Sequence, residues 1–218
     1  QDYVNAQLGG RSFARLKKPF AAVATRLEDG QRTVFVRGNV GQAVRASSAI
    51  PGVFEAVAIG KYHYVDGGVV SPVPVDAARE LGADIVIAVD ISTKPTGSAD
   101  AGSLLGNVNR SIAIMGQKLG AAELARADVV IRPAVNDIGP ADFTARNRAI
   151  LEGERAAQAA LPQIRAKIAA LQAQRLAQAR AQAEARAAQQ REAERKARCA
   201  QQSGWLDKWR RDPDCRAN

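Results

Sequence analysis

One histidine, two cysteines and 5% aromatic residues leave this 218-residue sequence without the material for several kinds of chemistry. His63 stands alone, and there is no Cys-x-x-Cys pair or Cys/His cluster with metal-ligand spacing, so no metal and no cofactor is expected. No run approaches the ~18 to 20 consecutive apolar residues of a membrane-spanning helix. The longest strong run is Ile85 to Val89, and nothing here is expected to cross a bilayer. Residues Gln1 to Gly10 are polar and lack the basic, apolar and small-residue order of a signal peptide. Aromatics are missing where charge is densest: Arg165 to Arg198 holds nine Lys and Arg against three Glu and not one aromatic side chain. Nucleic-acid surfaces interleave stacking rings with their cations, so the net charge of +9, two-thirds of it in this segment, does not indicate a nucleic-acid partner.

What the sequence does contain is organised around Lys61 to Pro74, Lys-Tyr-His-Tyr-Val-Asp-Gly-Gly-Val-Val-Ser-Pro-Val-Pro. A β-rich run, Lys61 to Val65, delivers the chain to Asp66, and the two glycines after it allow backbone angles closed to other residues. A carboxylate at a strand end is where open sheets bind ligands. Asp-Gly is also a common hairpin turn, so by itself the motif carries either reading. Tyr62, Tyr64 and Asp66 alternate onto one side of that strand and His63 onto the other, which separates the single histidine from the carboxylate.

Upstream stands Arg45-Ala46-Ser47-Ser48-Ala49-Ile50-Pro51-Gly52-Val53-Phe54, and downstream Pro72-Val73-Pro74-Val75-Asp76 leads to Leu81-Gly82-Ala83-Asp84-Ile85-Val86-Ile87-Ala88-Val89-Asp90. In that order and spacing the three segments resemble the second half of the catalytic domain of patatin-like phospholipases, well over Pro19 to Asp90 and more loosely to about Leu161. The resemblance implies an α/β fold, a lipid or phospholipid ester as substrate and a Ser-Asp catalytic dyad, with Asp66 as the dyad's carboxylate. It also implies a serine on a Gly-x-Ser-x-Gly elbow behind a glycine-rich oxyanion loop. Neither occurs in these residues. The nearest approach, Gly10-Arg11-Ser12-Phe13-Ala14, ends in alanine and is followed by Arg-Leu-Lys-Lys-Pro instead of a helix. The start at Gln1 fits a piece of a longer protein, and the compartment stays open between cell envelope or periplasm and the membrane-associated cytoplasm. The alternative function is a non-catalytic lipid-binding or scaffolding member of the same fold.

In chain order, Phe20 to Leu27 and Thr33 to Arg37 are expected as a hairpin across Glu28-Asp29-Gly30, and Gln42 to Ala49 as a short helix. Ser47 and Ser48 have no general base beside them in sequence, which favours packing over nucleophilic roles. Val53 to Ile59 forms a strand before Gly60, Asp76 to Leu81 a helix ended by Gly82, and Asp84 to Asp90 an apolar strand of the kind a parallel sheet covers on both faces. A polar loop, Thr93 to Gly102, precedes a helix to about Ala127, a strand at Asp128 to Arg132 and a further helix from about Thr144. The fold class is α/β, a mainly parallel sheet flanked by helices over residues 1–161, with a long Ala/Arg/Gln-rich helix appended over 162–202 and a tail at 203–218.

Leu161, Ile164, Ile168 and Leu171 keep coiled-coil spacing for less than two heptads before Arg175 breaks it. The tail sets Trp205 and Trp209 one helical turn apart among Lys208, Arg210 and Arg211, suited either to an anionic membrane surface or to a docked helix end. Cys199 and Cys215 are either bridged, in an oxidising compartment, or free thiols.

Overall fold

The computed structural model describes residues 1–92, 104–138 and 142–201 together with Cys215. The chain divides into two compact units, residues 1–164 and 165–218. The expected loop at Thr93 to Gly102 and the tryptophan pair of the tail lie outside the described residues.

The first unit is built on β1 (Ala22–Arg26), whose first four residues are buried. β2 (Arg32–Phe35) returns beside it through a turn in which Gly30 takes a φ of 71° and the Gln31 N–H donates to Asp29 Oδ1 at 3.1 Å. β3 (Val57–Ile59) and β4 (Tyr62–Asp66) form a second hairpin around Gly60, whose φ is 63°. The four strands pair in the order β2-β1-β4-β3, all antiparallel, with Ala22 opposite Phe35, Ala24 opposite Asp66 and Val57 opposite Tyr64.

α1 (Asp2–Gln7) and α2 (Val40–Ser47) pack close together because Gly41 has no side chain. A Cβ there would lie 2.5 Å from the Gln1 carbonyl oxygen, and the Gly41 N–H donates to Asn5 Oδ1 at 3.0 Å. α2 starts where Asn39 Oδ1 caps the Gln42 N–H at 2.8 Å, and it buries Val40, Gly41, Ala43 and Ala46. One apolar cluster joins Ala46 and Ala49 to Ala24, Val57 and Tyr64, with Phe35 edge-on to Tyr64 at 5.1 Å. A second joins Val40 and Ala43 to Phe13 and Ala22.

α3 (Val75–Glu80) ends before Gly82, whose φ of 90° fits the expected stop. β5 (Ile87–Val89) pairs in parallel with β6 (Val129–Ile131), and α4 (Leu104–Leu124) lies between them in the chain. Val75, Val86, Ala88 and Leu124 form the third cluster.

Two expectations need correction. The sheet is not mainly parallel: among the described residues three strand pairs are antiparallel and one is parallel. The turns at Gly30 and Gly60 are too short for the crossover a parallel pair needs, so each forces its strands to run in opposite directions. Nor is the apolar strand at Asp84 to Asp90 covered on both faces. Val86 and Ala88 are buried, while Ile87, Val89 and Ile91 are 41%, 52% and 69% exposed.

α5 (Arg146–Gln201) follows a 3-10 turn in which Asp142 Oδ1 accepts from the Thr144 and Ala145 N–H groups. It passes through Pro162 without ending there, and none of its residues is buried. Leu161 and Ile168 of the short seam are 40% and 41% exposed. Among the described residues no helix is long and apolar enough to cross a membrane.

In the second unit Cys199 is bonded to Cys215, 16 residues away in sequence. Protein purified without reductant and then denatured is therefore expected to show no thiol towards a colorimetric thiol reagent, and two after reduction. Two thiols before reduction would contradict the bridge.

Candidate active site

β4 ends at Asp66, and three backbone constraints fix this residue. Its N–H donates to the Ala49 carbonyl at 2.9 Å, its carbonyl accepts from Thr25 Oγ1 at 2.8 Å, and its Cα sits opposite Ala24 of β1. The chain then enters a 3-10 turn, Gly67–Val69, whose Gly68 N–H donates back to Asp66 Oδ1 at 2.7 Å. Oδ2 accepts no hydrogen bond from a described residue. The carboxylate is thus aimed by one oxygen and available through the other.

The two glycines do not serve the purpose expected of them. Neither has a positive φ. What Gly67 provides is space: a Cβ on it would lie 2.3 Å from the Val23 carbonyl oxygen. The Asp-Gly pair is not a hairpin turn either, since the segment after it continues through a 3-10 turn and a proline-rich loop to α3.

Asp66 lines a cavity of about 370 Å³ with Phe20, Val44, Ser47, Ser48 and Pro72. Ser47 of α2 and Ser48 after it therefore lie near the carboxylate. Ser48 Oγ, at the C-cap of α2, donates to the Val44 carbonyl at 2.9 Å, which leaves its hydroxyl proton committed to the backbone. His63 is exposed and pairs with Glu28 through both its N–H (2.9 Å) and Nδ1 (3.0 Å). Partial desolvation raises the Glu28 carboxyl, but these bonds from His63 outweigh it and hold the group below its ordinary value. The histidine is engaged on the face of β4 opposite Asp66. Ser12 is exposed and begins a 3-10 turn, Phe13–Arg15, with no strand before it.

A larger cavity, about 630 Å³, lies at the carboxyl ends of β5 and β6 beside Asp90 and Arg132. Its carboxylate is occupied. Asp90 Oδ1 accepts from the Ser92 N–H (3.1 Å) and hydroxyl (2.6 Å), and Oδ2 from Arg132 Nε (3.2 Å). Burial raises this carboxyl, and the Ser92 and Arg132 contacts more than offset that, leaving it below its ordinary value. A carboxylate so satisfied is a poor proton acceptor. Among the described residues no three His, Cys, Asp or Glu side chains are grouped to hold a metal ion.

The family model for patatin-like phospholipases matches residues 1–79, a span that contains β1 to β4, the Asp66-Gly67-Gly68 turn and most of the cavity wall. Residues 1–79 are thus similar to the patatin-like phospholipase family. An uncharacterized NTE family protein of Mycobacterium tuberculosis is 36% identical over 98 residues, 45% of this chain and 27% of its own length. A second from the same organism is 29% identical over 182 residues, 72% of this chain and 31% of its own. The mouse patatin-like phospholipase domain-containing protein 7 is 30% identical over 86 residues, 38% of this chain and 6% of its own. The chain therefore spans less than a third of the length of these relatives.

Sequence reading of the patatin-like segment singled out Asp66 but not the groups that hold it. Thr25 lay unremarked in an apolar strand, and Glu123, whose carboxylate reaches the loop after Asp66, sits 57 residues downstream in a helix of ordinary composition. Only the pairing of β1 with β4 and the packing of α4 bring them near.

The spatial demand at Gly67 can be measured. Gly67→Ala must push β4 away from β1 and is expected to destabilise by about 2 to 3 kcal/mol. Gly68→Ala, whose Cβ meets only the Asp66 carboxylate at 3.1 Å, should cost less. Equal urea midpoints for the two variants would refute a special role for the Val23 contact.

Proposed function

We propose that this chain supplies the base of a serine-dependent acyl ester hydrolase acting on lipids, with Asp66 as general base. The observation that carries the reading is the half-bonded carboxylate: Oδ1 held by the Gly68 N–H, Oδ2 bonded by no described residue, at a strand end beside an apolar-walled cavity. The 218 residues contain no Gly-x-Ser-x-Gly, so the nucleophile comes from residues beyond them. In the acylation step the serine hydroxyl passes its proton to Asp66 as its oxygen attacks the ester carbonyl. Collapse of the tetrahedral intermediate expels the alcohol, which takes that proton. In deacylation Asp66 accepts a proton from water as the water oxygen attacks the acyl-serine, and that proton returns to the serine oxygen when the fatty acid leaves. Asp66 thus acts without a histidine, in keeping with His63 being paired to Glu28.

The 218-residue chain by itself is expected to hydrolyse no p-nitrophenyl ester. In a longer protein that includes the serine, Asp66→Asn keeps the shape and the acceptor for Gly68 but loses the proton acceptor. Its kcat should fall by ~10²- to 10⁴-fold, with thermal unfolding unchanged. A folded variant keeping more than about a tenth of the activity, below even the weak end of general-base catalysis, defeats the assignment and favours a lipid-binding member without catalysis.

The basic stretch from Arg165 to Arg198 suits an anionic lipid surface, because all but one of its nine cations are exposed on α5. Each such residue near the surface contributes ~1 kcal/mol, screened by salt. Co-sedimentation with vesicles should rise with anionic lipid content and fall with added salt; binding indifferent to both would remove the proposal.

A further inference from the structure

The loop that follows Asp66 is held by a buried carboxylate. Glu123 of α4 is 7% exposed and Ser71 is 3% exposed. The Ser71 hydroxyl donates to Glu123 Oε1, and the Val73 N–H donates to Oε2 at 2.8 Å. A carboxylate taken out of water costs several kcal/mol unless hydrogen bonds replace its hydration, so both oxygens are tied to this one loop at some energetic expense.

Gly120 of α4 and Arg126, two residues past the end of that helix, continue the grip. A Cβ on Gly120 would meet Pro72 Cγ at 3.4 Å, so the helix backbone lies against the loop's proline. Arg126 makes a two-pronged pair with Asp76, 2.8 Å from Nε to Oδ1 and 2.8 Å from Nη2 to Oδ2, in the first turn of α3. Positions 120, 123 and 126 thus meet residues 72, 71 with 73, and 76 in turn.

From the loop the connection to Asp66 is short. The Ser71 N–H donates to the Gly67 carbonyl at 2.8 Å, and the Val70 N–H to the same oxygen at 3.1 Å. Gly67 is wedged against the Val23 carbonyl and is bonded directly to Asp66. We propose that Glu123 is a positioning residue: by anchoring Ser71 and Val73 it fixes the turn that holds the Asp66 carboxylate against the Gly68 N–H, with Oδ2 bonded by no described residue. A glutamate with a purely structural part would stabilise the fold without governing that bond.

The Gly68 amide proton reports on the bond directly, since an amide bonded to a carboxylate resonates downfield. In the 218-residue chain, Glu123→Ala is expected to move this resonance upfield towards the position of an unbonded amide while thermal unfolding still shows a folded protein. Glu123→Gln, which keeps an acceptor oxygen, should restore much of the downfield position. Ser71→Ala, which removes one of the two anchors with little loss of volume, should move it part of the way. A folded Glu123→Ala with Gly68 unmoved, or a Gln variant that restores nothing, overturns the proposal. Should the alanine variant fail to fold, an unmoved Gly68 in Ser71→Ala overturns it.

The catalytic consequence rests on the reading of Asp66 as the base. In the longer protein Glu123→Ala should then lower kcat by up to ~10²-fold at unchanged KM, the scale of a small misplacement of a reacting group. An Asp66 that is not the base removes the kcat effect and leaves the Gly68 shift in place, so the two ideas fail separately.

Discussion

The site depends on a contact in which nothing fits between two backbones. Gly67 approaches the Val23 carbonyl so closely that one methyl group would have to displace a strand. This contact sets the height at which the chain leaves β4, and with it the position of Asp66 relative to the sheet. The rest of the neighbourhood permits the approach by being small. Ala24 and Ala46 are fully buried and Ala49 nearly so. With short side chains between them, α2 settles onto β1 and β4 until the Ala49 carbonyl reaches the Asp66 N–H. Larger residues at these positions would hold the helix off and remove that bond, so packing volume in the core becomes the aim of a carboxylate.

This explains which parts of the molecule were legible beforehand. Hairpins at Gly30 and Gly60, the helix ended by Gly82 and the strand leading to Asp66 all follow from local chemistry: a glycine where φ must be positive and alternation along a strand. The order of strands did not follow. An α/β alternation in sequence suggested a mainly parallel sheet, but the local turns that were read correctly already required antiparallel pairs at both hairpins. The glycines of the turn were identified for the wrong reason, because a sequence displays a glycine's conformational freedom and its lack of volume identically. Only the distance to Val23 separates the two. Glu123 was illegible for a related reason: a glutamate among alanines on a helix is indistinguishable from a solvated one until the loop it binds is placed beside it.

The uncovered side of β5 has the same origin. Val86 and Ala88 are enclosed with Val75 and Leu124, while Ile87 and Val89 stay about half exposed. The continuous apolar run that suggested a strand buried on both faces is therefore satisfied on one. Leaving β-branched residues half in water forgoes burial worth ~25 cal/mol per Å², and nothing in the described residues returns it.

Asp66 and Asp90 show why location alone does not define a site. Each lies at the end of a strand, each borders a cavity, and each takes hydrogen bonds from the residue two positions later. The difference is in the second oxygen. Arg132 occupies it at Asp90, and no described residue does at Asp66. A carboxylate bonded through both oxygens holds its anionic form and resists protonation, which suits a structural tie between β5 and β6. One bonded through a single oxygen is oriented without being saturated, and a general base needs both properties together. Orientation without saturation is difficult to maintain, because a half-bonded carboxylate rotates unless the backbone beneath it is fixed. In the proposed role of Asp66, the Val23 contact below Gly67 and the loop anchors on Glu123 would meet that requirement from two sides.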